Sequence, residues 1–584
     1  MNHVGVIFTL IFLVILGKAI YLQVFCAKDL SKRAAEEYEK DQTSTGKRGS
    51  IFDRNGKEMA VTIDVTSVAV SPRKIDDKKK AAKALSIALN LDKSSVMEKL
   101  DTNRPFVWIK RHVSPKEVST VQDLNITGIN FVPETKRYYP NKTLGAQILG
   151  FTGLDGHGLE GLEFYYDDVL KERSEKSKVL KDARGMEFGY KKIEFTSGEE
   201  KGEIDNVVGK DGLNLILTLD QTIQYITESA LKTYTEKAKA KSGIAVVMSP
   251  KTGAILALAH YPVFNPNAFG DFDKDTWRNR SVTDPFEPGS TMKIFTAAAG
   301  LESRKATVKS IFFCENGAYN IGRNTIHDTH PHGWLSLPQI VKFSSNIGVV
   351  KLGEAIGREY LHESFKKFGF GDKTGVDFPG ESPGMLTNYE KWSNIDAGAI
   401  AFGQGVSVSA IQLLSAASAI ANKGILMKPY IVQAITDNKG NFKKGFLPRK
   451  VRRVLSDDNA AIIMRIMEGV VTEEGTGMNA SLENYRVSGK TGTAQKVDER
   501  GVYAKGKYVA SFLGFAPAED PEVGILVSID EPEGNHYGGV VSAPAFKVIA
   551  QKTLEYLNVE PSPAGEKLEV EKNNGITIAQ RKKE

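Results

Sequence analysis

The chain has 584 residues, more than one hydrophobic core supports, so at least two large folded units are expected. Charged residues at 25% and the AVILMFWYC set at 41% exclude a disordered chain. The net charge of +6 reads as spread along the chain, with no dense basic block interleaved with aromatics, so a nucleic-acid partner is not indicated.

Val4–Phe25 is almost entirely apolar, interrupted only by Lys18 and Gln23, and as a helix is just long enough to cross a bilayer. Lys18 can snorkel at the far end, with Tyr21 as an interfacial ring. The alternative is a cleaved signal peptide, for which Val4–Gly17 has the right length. No small-x-small site follows, and Phe25 before Cys26 spoils a lipoprotein-type site, so residues 1–25 are expected to stay as an anchor. Lys18, Lys28, Lys32 and Arg33 all fall at or after the far end of the span. Charge alone would therefore place the C-terminal part inside, but long domains translocate largely regardless of charge. The chemistry below needs the outside. The expectation is a single-pass protein of the cytoplasmic membrane with an extracytoplasmic catalytic part.

Asp29–Glu39 reads as a polar helix leaving the membrane. Arg48–Gly56 reads as a strand closed by an Asn-Gly turn, Val61–Val70 as a strand, and 78–100 as a helical unit. Asp155–Gly161 is a glycine-rich turn and Lys171–Lys181 a solvated loop. Gly209–Leu213 looks like a hinge, followed by a strand at Leu215–Leu219 and a helix at Gln221–Lys239. Ile244–Met248 and Ala254–Ala259 read as paired strands around a Ser249–Gly253 turn. Helical patterns fill 290–420, and strand patterns return at 486–497, 508–515 and 523–530. Strands at both ends with helices between predict one mixed α/β domain whose sheet joins its termini. The expected organisation is an anchor (1–25), an elongated α+β unit (26–210), a mixed α/β unit with an antiparallel sheet flanked by helices (211–558), and a disordered tail (559–584). Cys26 and Cys314 lie too far apart in character for an expected disulfide.

Three short motifs carry chemistry: Ser290-Thr291-Met292-Lys293, Ser344-Ser345-Asn346 and Lys490-Thr491-Gly492-Thr493. Each alone is weak, since Ser-x-x-Lys recurs at Ser44, Ser71 and Ser364, and Lys-Thr-Gly at Lys251 and Lys373. Context separates the copies. Ser290 follows Pro288-Gly289 and opens an apolar helical stretch, Ile294–Leu301, so the Lys293 amine returns over it one turn later. Serine needs an adjacent base, and a partly buried lysine can lose its proton and serve. The bland reading of Ser290 is a helix N-cap. Ser71 precedes a proline, and Ser364 sits mid-helix among charges and reads as surface. Ser344 and Asn346, in a polar break before Ile347–Ile356, would face one side of a turn, able to relay a proton and hold a carbonyl. Lys490 lies in a strand whose Gly489 and Gly492 let an extended substrate approach. There it would bind a carboxylate and help keep Lys293 neutral. His327, His330 and His332 read as an exposed active-site-rim loop rather than a metal site, since closed sites usually need a fourth ligand.

The ordered set Ser-x-x-Lys, Ser-x-Asn, Lys-Thr-Gly resembles the signature of penicillin-binding proteins and serine β-lactamases. Arg48–Gly56, Gly158–Glu163 and Asp182–Gly185 resemble pedestal motifs of class B penicillin-binding proteins. Phe402–Val408 is similar to a segment of their division-type branch, and Lys490–Gln495 matches in full. No glycosyltransferase-like segment stands before the pedestal, which argues against class A.

The resemblance implies a β-lactamase-like transpeptidase domain on a dimerisation-type pedestal. It implies a D,D-transpeptidase acting in septal wall synthesis on stem peptides ending in D-Ala-D-Ala. It makes Ser290 the nucleophile, Lys293 the base, and Ser344 and Asn346 the proton relay and peptide holder. Lys490, Thr491, Gly492 and Thr493 would bind substrate, and the N–H groups of Ser290 and Thr493 would form the oxyanion hole. β-Lactams would acylate Ser290. No metal or organic cofactor is implied, and a SEDS-type glycosyltransferase and division proteins are the implied partners. An elongation-type transpeptidase, a β-lactamase or D,D-carboxypeptidase, a β-lactam sensor and a non-catalytic scaffold are the rivals.

Overall fold

The computed structural model describes residues 2–28, 39–171, 174–181, 187–192, 211–497 and 502–562. The Asp182–Gly185 motif, nearly all of the Asp29–Glu39 helix and most of the tail lie outside them. Asn2–Ile20 forms a helix continued by a π turn at Tyr21–Phe25, and Gly5–Phe25 is long and apolar enough to cross a membrane, with its side chains exposed.

The N-terminal unit is built on the strands Glu58–Val70, Val107–Val113 and Ile129–Tyr138, with the first paired to both others. Helices at Lys78–Leu89 and Lys93–Leu100 cover it through Leu85, Leu89, Val96 and Leu100. Ser174–Lys181, expected as a loop, is a strand between Glu39–Thr45 and Glu187–Lys192. Its polar sequence hides the pairing because ladder hydrogen bonds are made by backbone, whatever the side chains.

Two of the pedestal motifs, Arg48–Gly56 and Gly158–Glu163, meet at Glu163, a carboxylate with no exposed side-chain surface. Arg48 donates to it from Nε at 2.7 Å, and Arg137 from Nε at 2.6 Å. Arg48 also donates to the Glu163 carbonyl at 2.8 Å and the Asp167 carboxylate at 2.5 Å, while Arg137 donates to the Gly49 carbonyl at 2.7 Å. A buried carboxylate survives only with such full pairing. Gly158 lets the 156–158 turn lie on Glu163, since an added Cβ would fall 1.9 Å from the Glu163 carbonyl oxygen.

The C-terminal unit centres on five strands: β1 Ser242–Met248, β2 Ile255–Tyr261, β3 Ser488–Val497, β4 Tyr503–Ala516 and β5 Val523–Asp530. They pair antiparallel in the order β2-β1-β5-β4-β3, so β3 is an edge strand. Side chains alternate between two helical layers, as strand period requires. Ala245 and Val247, with Phe512, Ile525 and Val527, face α1 Gln221–Lys237 and α6 Ala543–Tyr556. Val246 and Met248, with Leu513, Phe515 and Leu526, face α2 Lys293–Glu302, α4 Ala410–Ala421 and α5 Asp457–Gly469. α3 Asn346–Ile356 packs against α2.

The two units share backbone pairing. Ile51–Phe52 pairs in parallel with Asn214–Leu217, which pairs with Val432–Thr436, giving a seven-stranded sheet from both. Asp211–Leu213, within the expected hinge, is bonded on both sides: Gly212 N–H to the Lys47 carbonyl at 2.8 Å and Leu213 N–H to the Val169 carbonyl at 3.0 Å. Tyr166 donates to Asp377 at 2.9 Å, and Gly145 N–H to Glu228 at 2.8 Å.

Candidate active site

Pro288-Gly289 turns the chain into one 3₁₀ turn, Gly289–Met292, that runs on into α2. Gly289 has φ +53°, and its Cα lies so close to β3 that an added Cβ would sit 3.1 Å from the Thr493 carbonyl oxygen. A side chain there would be strained in the backbone and crowded in space. The Ser290 hydroxyl makes no capping bond, so the N-cap reading does not describe it. It stands 3.0 Å from Lys293 Nζ instead. Ser290 is half-buried and reachable; Lys293 is completely buried.

Lys293 Nζ is surrounded by oxygens: Asn346 Oδ1 at 2.7 Å, the Ser344 carbonyl at 2.5 Å, and the hydroxyls of Ser290 and Ser344 at 3.0 and 3.1 Å. Burial brings this amine from the usual 10.5 down to about 7, opposed by the Asp328 carboxylate. A neutral amine has two N–H donors and one lone pair. The two nearest oxygens, both carbonyl, can only accept, so they take the donors. In that neutral form the lone pair is left for the hydroxyls, and Ser290 O–H is placed to donate to it.

Ser344 supplies two of these oxygens because of its backbone. It has φ +59°, a left-handed conformation that costs a serine about 1–3 kcal/mol. The surroundings hold it there: Ser345 N–H donates to the Ile340 carbonyl at 3.0 Å, and the Ser345 hydroxyl caps α3 at the Gly348 N–H, 3.0 Å away.

Lys490 comes from β3, completely buried, with Nζ 2.9 Å from Ser344 Oγ and 3.1 Å from the Thr491 carbonyl. Burial holds its amine well below the ordinary lysine range, and the neighbouring Lys293 charge adds to that. Burial, and no resolved contribution from Lys490, is what lowers Lys293. Ser344 Oγ thus links the two amines. Thr491 Oγ1 stands 2.9 Å from Thr476 Oγ1, a neighbour no motif announces. Gly492 runs past the nucleophile turn, its Cβ position 3.0 Å from the Thr291 methyl.

The Thr493 carbonyl faces Gly289, away from β4. In an antiparallel strand the N–H and C=O of one residue point to the same side, so the Thr493 N–H also faces the open edge beside Ser290.

Three groups outside the motifs complete the site. Asp328 accepts the N–H groups of Asn346 and Ile347 at 2.5 and 3.0 Å and the Ser345 hydroxyl at 2.6 Å. The neighbouring His327 carbonyl accepts from Asn346 Nδ2 at 2.8 Å. Glu287 accepts the Gly405 N–H at 2.8 Å and the Tyr503 hydroxyl at 3.3 Å. Asp328 carried no signal beyond its place among the three histidines. The Phe402–Val408 segment acts here through backbone: Gly289 N–H donates to the Gly403 carbonyl at 3.1 Å, and Phe286 and Val408 exchange N–H···O bonds at 2.9 Å.

The other motif copies lie elsewhere. Lys251 pairs with Asp520 and Glu522 in its turn. Ser364, expected at the surface, is buried on the apolar stripe of its helix with Leu361, Phe365 and Phe368, because its i−3 and i+4 neighbours, Leu361 and Phe368, are apolar. His332 stacks on Phe343, and among the described residues no group of three His, Cys, Asp or Glu side chains could hold a metal ion. Cys26 and Cys314 are free thiols.

A reachable hydroxyl beside a buried lysine whose pKa is lowered to about 7, next to an open sheet edge, defines a serine acyl-transfer site of the Ser-Lys kind. Residues 243–551 match the family described as penicillin binding protein transpeptidase domain, and residues 43–203 the penicillin-binding protein dimerisation domain. The chain is 36% identical over 561 residues to stage V sporulation protein D of Bacillus subtilis, covering 94% of this chain and 85% of the relative. It is 31% identical over 571 residues to the peptidoglycan D,D-transpeptidase FtsI of Escherichia coli, covering 96% and 92%. The crystal structure of penicillin binding protein 3 from Mycobacterium tuberculosis complexed with aztreonam superposes with a TM-score of 0.69 at 27% identity, over 89% of this chain and 98% of that one. The chain belongs to the penicillin-binding protein transpeptidase family, as a class B member of the division type.

Proposed function

We propose that this protein cross-links septal peptidoglycan through a Ser290 acyl-enzyme. The supporting observation is the geometry at Lys293: its buried Nζ lies 3.0 Å from Ser290 Oγ, with the Asn346 Oδ1 and Ser344 carbonyl oxygens at 2.7 and 2.5 Å to take the N–H donors of the neutral amine. A donor stem peptide ending in D-Ala-D-Ala lies along the open edge of β3, its terminal carboxylate meeting Lys490, Thr491 and Thr493. An anion there restores the Lys490 charge that burial otherwise disfavours.

Lys293 takes the Ser290 proton as Oγ attacks the penultimate carbonyl carbon. The N–H groups of Ser290 and Thr493 stabilise the tetrahedral oxyanion, a contribution of about 3 kcal/mol per donor. The C–N bond breaks, and the proton passes from Lys293 through Ser344 Oγ to the departing D-Ala amine, while Asn346 orients the peptide. An amine from a second stem peptide then attacks the ester, releasing Ser290 and forming the cross-link. A β-lactam presents the same carboxylate and acyl carbon and leaves a long-lived ester. The Gly5–Phe25 helix anchors the protein in the cytoplasmic membrane with this site outside, where a SEDS-type glycosyltransferase and division proteins meet the anchor and pedestal.

Fluorescent penicillin applied to the purified protein tests the reading. It labels the wild type stoichiometrically, and Ser290→Ala removes labelling without changing the circular dichroism. Labelling of the folded Ser290→Ala protein overturns the nucleophile; rapid turnover of penicillin overturns the transpeptidase in favour of a hydrolase.

A further inference from the structure

The charge of this chain is not evenly spread, contrary to the sequence reading. Residues 439–453 contain seven Lys and Arg and no Asp or Glu, more charge than the net +6 of the whole chain. The stretch is exposed along almost its entire length. Among the described residues, only one of the seven cations has a carboxylate within ion-pair distance: Lys443, 3.3 Å from Asp437. Arg452 donates to the Lys367 carbonyl at 2.8 Å and Arg453 to the Lys423 carbonyl at 2.7 Å, bonds that fix the side chains and leave their charge uncompensated. Apolar side chains stand out between the cations: Phe442 is 69% exposed and Leu447 86%.

The backbone here is also open. Phe442–Gly445 is the last strand of the seven-stranded sheet, paired on one side only, with Val432–Thr436. Lys450–Arg453 follows in sequence in a separate two-stranded sheet, paired only with Ile425–Met427. An edge strand is often guarded by lysine against self-pairing, and Lys443 and Lys444 suffice for that. Guarding explains neither the further cations nor Leu447, which adds an apolar contact at the rim.

We propose that this rim docks an acidic, extended segment of a partner protein. The segment adds as a strand beside Phe442–Gly445, its carboxylates against the cations and its apolar side chains on Phe442 and Leu447. The adjoining turn is tied to the junction of the two units, because Asn438 Nδ2 donates to Asp211 Oδ2 at 2.6 Å. A partner on the rim therefore contacts the catalytic unit where it meets the pedestal.

The test uses full-length protein in detergent micelles and a fluorescent peptide of about twelve alternating Glu and Val residues, enough to span the rim at ~3.3 Å per residue. Fluorescence anisotropy is expected to show binding that weakens about tenfold in Lys444→Glu/Lys450→Glu and about tenfold in Leu447→Ser. Penicillin labelling of both variants stays at the wild-type level. Failure of the peptide to bind overturns the proposal. So does equal binding of polyphosphate with no effect of Leu447→Ser, which marks a site for polyanions at large. Binding of phosphatidylglycerol vesicles in preference to the peptide overturns it in favour of a lipid surface.

Discussion

Asp328 Oδ1 accepts the backbone N–H of Asn346 at 2.5 Å across 18 residues of sequence. The same carboxylate holds the Ile347 N–H and the Ser345 hydroxyl, so the second motif is fixed by a side chain outside it. Asp328 also favours the charged form of Lys293, against burial.

Asp328→Asn replaces an acceptor of three hydrogen bonds by a group carrying donors of its own. Stability is expected to fall by about 1–3 kcal/mol, read from urea unfolding. Penicillin acylation slows about tenfold. Its pH midpoint moves to lower pH, because the charge that raised the Lys293 pKa is gone. An unmoved midpoint would show that Asp328 acts on the fold alone.

Wild-type acylation should itself depend on pH through Lys293. The folded value of about 7 lies below the usual 10.5, so the neutral base form grows as pH rises through 7. The second-order acylation rate is expected to rise with pH, with its midpoint near 7, and to level off above. A stopped-flow profile that stays flat from pH 5 to 9 would contradict the assignment of Lys293 as the base.

Gly403→Ala places a methyl group 2.2 Å from the Gly289 carbonyl oxygen, at a backbone φ of +89°. The nucleophile turn has to move. Acylation is expected to drop at least about tenfold, since misplacement by ~1 Å costs ~100-fold in comparable sites. Measuring kinact and the binding constant separately should put most of the loss in kinact.

Arg48→Ala leaves the Glu163 carboxylate with Arg137 and Tyr139 alone and strips Asp167 of its guanidinium. The expected cost is about 3 kcal/mol, seen as a lower Tm of the pedestal in calorimetry. Acylation per folded molecule at 25 °C stays unchanged, because the pair lies in the other unit.

Much of this was readable in advance. Ile244–Met248 and the strands at 508–515 and 523–530 announce themselves by apolar runs between turns, and such strands, apolar on both faces, are covered by helices on both. The three motifs could be picked from their copies by context: Ser290 by the Pro-Gly turn before an apolar helix, Lys490 by its flanking glycines. Other features carried no periodic signal. Ser174–Lys181 pairs by a backbone ladder that its polar sequence does not announce, and Ser364 shows that charged neighbours on a helix say little about the face a residue occupies. The basic rim at 439–453 was diluted by averaging charge over the whole chain.

The residue types that can do the chemistry, and the apolar span before them, were set by the sequence itself, because nucleophilicity, basicity and hydropathy belong to side chains one at a time. The protonation of Lys293, the strained turn of Ser344, the bonds of Asp328 and the enclosure of Glu163 were decided by tertiary structure. Each depends on which dipoles and charges replace water around a group, and those neighbours come from segments distant in sequence.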